Sequence, residues 1–146
     1  MKKLTSLENL YSYLESLKLD NGVIPFLTTD NTDATGCLAT ASGTQVLFAR
    51  PEAELTCKGD GFSYTINTLI FVLEKGLGTA NTKTKENAQY RKLRNIAEDI
   101  LAILERDTSN NACTLLKGLV LSKIEVVPVT SVFGGWLGYS IEIEFE

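Results

Sequence analysis

Carboxylates are the side chains of this chain best spaced to act together. Glu142, Glu144 and Glu146 alternate with Ile141, Ile143 and Phe145, and a strand sorts such a run onto two faces. Same-face neighbours on a strand lie about 7 Å apart. Such a row can repel a phosphate backbone or meet basic groups on a neighbouring copy, and it can equally be a solvated face. No paired catalytic motif accompanies it. The chain has no histidine, which removes the usual general base, the commonest metal ligand and any Ser-His or Cys-His arrangement. Cys37, Cys57 and Cys113 are odd in number with no CxxC spacing, and they read as small buried or half-buried hydrophobes of a reducing compartment.

Other motifs fail on spacing. "GLG" at residues 76–78 lacks the third glycine and the following helix of a dinucleotide fingerprint. "DNTDATG" at residues 30–36 misses the ligand spacing of a calcium loop. Asp60 in "KGDG" reads as a turn residue. No catalytic residue, cofactor or metal ion is expected, and the chain is read as a non-enzyme. Trp136, beside a Gly-Gly turn, either closes the end of a core or sits in an interface. Lys83, Lys85, Arg91, Lys92 and Arg94 form a locally positive segment, either a solvated face or a docking surface for an acidic partner.

Composition sets the frame for these residues. The chain of 146 residues is 44% hydrophobic and 22% charged, with a net charge of −4. Those values suit one globular domain, residues 1–146, with its own core. The acidic balance argues against broad adhesion to nucleic acid. No apolar run approaches a membrane span, and the first residues lack the apolar stretch of a signal peptide, so a cytoplasmic location is expected.

The elements that must position these groups follow from periodicity. Leu7, Leu10, Tyr11, Leu14 and Leu17 recur at helical spacing behind a Thr5-x-x-Glu8 capping box, with Asn21-Gly22 as a stop. Residues 23–27 read as an edge strand because of Pro25, and residues 28–36 as a polar loop. Residues 44–50 form a strand stopped by Pro51, and residues 53–57 continue it after a bend. The turn "KGDG" leads into a long strand over residues 62–73, whose second half is apolar on both sides. Either face there can be covered by another subunit. Residues 74–87 read as a long loop or arm, and residues 85–106 as a helix whose apolar face holds Leu93, Ile96, Ala97, Ile100, Ile103 and Leu104. Residues 107–112 read as a loop, residues 114–129 as a strand bent at Gly118 and ended by Pro128, and the Gly134-Gly135-Trp136 turn precedes the last strand.

Strand runs separated by single helices indicate an α+β fold: two layers, a mostly antiparallel sheet of about five strands, and two helices on one face. The capped first helix, the strand "TLIFVLEK" running into a loop, the helix "ENAQYRKLRNIAEDILAILERD" and the close "VVPVTSVFGGWLGYSIEIEFE" resemble small tail-terminator or tail-completion proteins of tailed bacteriophages and prophages. That resemblance implies a structural role without catalysis. Copies form a homo-oligomeric ring, commonly a hexamer, that caps the tail tube and joins it to the neck. DNA passes through the ring without being read. It also implies tail and neck proteins as partners, no membrane, a cytoplasmic location during assembly and a place in the virion afterwards. Glu142, Glu144 and Glu146 are its candidates for an acidic lumen, and residues 74–87 for an arm. A reading from a different class is a cytoplasmic α+β binding module or chaperone that acts on proteins as a dimer.

Overall fold

A computed structural model describes residues 2–17, 26–28, 35–36, 38–39, 42–59, 61–76, 82–109, 116 and 119–146. Helices α1 (Lys2–Ser16) and α2 (Lys83–Thr108) accompany six strands: β1 (Phe26–Thr28), β2 (Gln45–Ala49), β3 (Glu52–Lys58), β4 (Gly61–Lys75), β5 (Leu121–Val132) and β6 (Trp136–Phe145). The sheet runs β1-β2-β4-β6-β5, with β3 also paired to β4. Only β1 and β2 pair in parallel; the other pairings are antiparallel. The fold is α+β, with both helices packed on one face of the sheet.

β4 organises the sheet. Its residues alternate between a helix-side face (Ile66, Thr68, Ile70, Val72) and an open face (Asn67, Leu69, Phe71, Leu73). The helix side buries Val46 and Phe48 of β2 with Ile141, Ile143 and Phe145 of β6. Leu10, Tyr13, Leu14 and Leu17 of the first helical segment and Leu93, Ile96, Ala97, Ile100 and Leu104 of α2 complete that core. Each such side chain contributes about 1.5–3 kcal/mol on burial.

α2 is longer than its periodicity predicts. Thr82 caps it, its hydroxyl accepting from the Lys85 N–H at 3.3 Å, and the rod spans 26 residues, about 39 Å. Tyr90 hydrogen-bonds the Val129 carbonyl at 2.8 Å and packs edge-on against Tyr139, which ties α2 to the far strands. Tyr13 donates to Asp107 at 2.8 Å, which ties α1 to the end of α2.

Several boundaries differ from expectation. α1 starts at Lys2, so Thr5 lies inside the helix and is not its cap. Tyr13, not Tyr11, completes the buried stripe; Tyr11 stacks under Arg50, whose guanidinium carbon sits 4.4 Å from the ring centre. β4 runs on to Lys75 and α2 starts at Lys83, so both ends of the expected 74–87 loop belong to regular elements. β5 starts at Leu121, and Leu116 and Leu119 ahead of it are buried outside any strand. The strand also passes through Pro128, which an edge position tolerates. Pro25, Asn21-Gly22, most of the 28–36 loop and Gly118 lie outside the described residues.

The apolar open-face half of β4 is covered in part by the chain itself. Leu38, Leu47, Leu73 and Trp136 form a second buried cluster, with Phe71 packed edge-on against Phe133 at 5.1 Å. This cover depends on the β5–β6 turn, where Phe133, Gly134 and Gly135 all have positive φ. Gly138 then lets β6 approach β4: its φ is +151°, and a Cβ there would overlap the Val72 carbonyl oxygen. Gly138→Ala should therefore cost about 3 kcal/mol or more, while Gly134→Ala, facing open space, should cost about 1–2 kcal/mol for its left-handed backbone alone. Urea unfolding of the two variants measures the difference.

Candidate functional site

The open face of the sheet becomes polar beyond Phe71. In the β3-β4-β6-β5 direction, Glu52 opposes Asn67, Asn67 opposes Glu144, and Glu144 opposes Lys123. In the adjacent row Leu69 opposes Glu142, and Glu142 opposes Glu125. Glu54 of β3 belongs to the same face. Lys123 pairs with Glu125 at 3.5 Å and offsets part of the repulsion between Glu125 and Glu142. The surface is therefore a broad acidic face, and the glutamate row of β6 is one strip of it.

Glu142 is exposed on this face and Glu144 is half-buried. Ser122 donates to the Glu144 backbone carbonyl at 3.1 Å. Glu146 is exposed, and its backbone N–H donates to the Val120 carbonyl at 2.8 Å, extending the pairing beyond the strand. A shallow cleft of about 210 Å³ opens here, lined by Arg50, Glu52, Asn67, Leu69 and Glu142 among others. The buried Asn67 Oδ1 has no hydrogen-bond partner in it. Glu52 and Glu54 alternate with Ala53 and Leu55 as cleanly as the glutamates of β6 do with their apolar neighbours, but only the cross-strand register brings them, with Glu125 of the less regular β5, beside Glu142 and Glu144.

Trp136 is 2% exposed and closes the end of the second cluster, the first of its two expected roles. Lys83, Lys85 and Arg91 are exposed on α2, in the layer opposite the acidic face. Their spacing distributes them around the helix, so they do not form one patch. Cys57 is an exposed thiol on β3, contrary to the expected burial; Cys37 and Cys113 lie outside the described residues, as does Asp60. Among the described residues, no group of three His, Cys, Asp or Glu side chains could hold a metal ion, and no helix is long and apolar enough to cross a membrane.

The remaining charged cluster is structural. Glu74, on the helix side at the end of β4, accepts from Lys92 at 2.7 Å, Gln89 at 3.2 Å and Thr44 at 3.1 Å. Gln89 is buried and also donates to the Lys75 carbonyl at 3.2 Å. This network pins the start of α2 to β4 and to the entry of β2. No family model matches the chain, and no curated protein matches it in sequence.

Partial burial pushes the Glu74 carboxyl up, but the hydrogen bonds from Lys92, Gln89 and Thr44 and the Lys92 charge outweigh it, so its pKa lies below the ordinary 4.5. A depressed folded-state pKa adds stability that is present above the unfolded value and is lost as pH falls through the folded one. Glu74→Gln should cost about 1 kcal/mol at neutral pH, since Lys92 is largely solvated, and should flatten the loss of stability below pH 4.5. Denaturation midpoints between neutral and acid pH measure both effects.

Proposed function

We propose that this chain is a structural virion subunit of a tailed phage or prophage. It is a tail-terminator or tail-completion protein whose copies join side to side in a ring, cap the tail tube and connect it to the neck. The observation that carries this reading is the acidic open face, with Glu142 and Glu144 at its centre and Glu52, Glu54 and Glu125 beside them. Turned toward a ring lumen, that face repels phosphates, so DNA passes without adhering. The net charge of −4 acts in the same direction.

Within this reading Glu142, Glu144 and Glu146 line or border the lumen, and Trp136 supports their strand from the second cluster. Lys83, Lys85 and Arg91 lie in the opposite layer, where they face neighbouring tail or neck proteins. The chain acts by shape and charge, with no catalytic step, no cofactor and no membrane contact. Assembly takes place in the cytoplasm and the product is part of the particle. A protein-binding module acting as a dimer is the competing reading, and it calls for a two-subunit species at every concentration.

Negative-stain microscopy and mass measurement across a concentration series, with and without tail-tube protein, decide between these readings. Closed rings support the terminator role; a species that stays monomeric or dimeric even with tube protein present counts against it. The combined change Glu142→Lys and Glu144→Lys should create salt-sensitive binding to duplex DNA that the unaltered protein lacks, with the fold intact by circular dichroism. Equal DNA binding by both proteins, measured by fluorescence anisotropy, would show that these glutamates are only a wetted surface.

A further inference from the structure

β4 extends beyond its neighbour: β6 pairs with it from Ile66 onward, so among the described strands residues 61–65 pair only with β3. β3 and the first part of β4 thus form a projecting hairpin. Its helix-side face carries Leu55, Cys57, Phe62 and Tyr64; its other face carries Glu52, Glu54, Thr56 and Ser63. All described side chains of β3 from Glu52 to Cys57 are exposed. Among the described residues β3 pairs only with β4, so its outer edge is free.

The opposite end of the sheet has a matching edge. Among the described residues β5 pairs with β6 on one side only, and residues 122–128 are exposed on both faces. On its helix-side face Ile124 and Val126 are 37% and 41% exposed, which shows that the helix layer does not reach them. Among the described residues, every large hydrophobic side chain left exposed lies on the hairpin (Leu55, Phe62), on β5 (Ile124, Val126, Val127) or just before β5 (Val120).

We propose that the outer edge of β3 in one copy pairs with the outer edge of β5 in the next, so that one sheet continues from subunit to subunit. The proposal rests on the self-assembling role above and names the surface that performs it. Strand direction fits: β3, β4, β6 and β5 alternate in direction, so a copy placed beside β5 with its helices on the same side presents β3 antiparallel to β5. Length fits as well, since β3 has seven residues and the regular part of β5 between its two irregularities runs from Lys123 to Val129. Pairing with the helix-side faces aligned puts Leu55 and Cys57 beside Ile124 and Val126 of the next copy. On the other face the same register sets Thr56 opposite Glu125 and Glu54 opposite Val127. A symmetric β5-to-β5 dimer would cover only one of the two apolar edges and leave Leu55 and Phe62 in water. The head-to-tail contact covers both, and repeated around an axis it closes a ring. Backbone pairing of this kind supplies affinity while the alternating side chains set the register.

The full chain tests this in two ways. Leu55→Asp and Val126→Asp, both at exposed sites, should each weaken self-association about tenfold or more in sedimentation analysis. A mixture of the two should stop at a heterodimer, because one intact arm and one intact edge remain. Ile124→Cys should form oxidised ladders longer than a dimer through the native Cys57, and adding Cys57→Ser should abolish them. Assemblies that survive both aspartate changes, or Ile124→Cys crosslinks that stop at dimers and persist after Cys57→Ser, overturn the arm-to-edge contact and leave the ring reading standing. A chain that stays monomeric at all concentrations overturns both.

Discussion

The length of β4 relative to its partners governs the shape of the molecule. A strand of 15 residues lies between β6, which has 10, and the broken edge of β2 and β3. Where β2 and β6 flank it, both faces of β4 are apolar and both must be covered. Two helices cover one face, and among the described residues a small cluster built around Leu47, Leu73 and Trp136 covers the other. That cluster ends near Phe71, and past Leu69 the open face turns polar at Asn67. Further toward its start, β4 outruns β6 and leaves the hairpin projecting. The buried end, the acidic face and the arm are consecutive stretches of one strand.

The layer architecture was legible in the sequence because it depends on local periodicity. β6 alternates without interruption, α2 repeats its apolar residues at helical spacing, and the Arg50-Pro51 break divides β2 from β3. Features set by partners were not legible. Gln89 sits among polar residues and is buried only because Glu74 and the Lys75 carbonyl receive its amide. Residues 74 and 75 extend β4 because β6 pairs that far, a fact with no local signal. Leu116 and Leu119 have the composition of a strand, yet they bury against the main core without joining the sheet. The glutamates of β6 were visible in the sequence, but the width of the acidic face was not, since Glu52 and Glu125 reach it through cross-strand register alone.

Lys83, Lys85 and Arg91 sit on α2, on the side away from Glu142 and Glu144, and Lys92 is engaged by Glu74. Within the acidic face, Lys123 faces Glu144 across the strand pair and also bridges Glu125, and Arg50 lines the cleft beside Glu52 and Glu142. Exposed carboxylates at strand spacing repel weakly in water, so the fold tolerates them. If copies brought such faces together around an enclosed space, with less water between them, the same charges would produce a much stronger field.

A free edge as long as β5 invites pairing with any extended chain, and this strand has features that narrow the choice. Register irregularities lie between Leu121 and Lys123 and between Val129 and Val132, which limits the regular segment to a short central stretch. Pro128 offers no N–H there, and the charged pair of Lys123 and Glu125 occupies one face. A partner strand must therefore be short, apolar on the helix side and polar on the other. β3 of the same chain meets each of those conditions, with Leu55 and Cys57 on one side and Glu52, Glu54 and Thr56 on the other. The devices that keep the β5 edge from indiscriminate aggregation are thus compatible with one specific contact, and they explain how an exposed, partly apolar strand can persist.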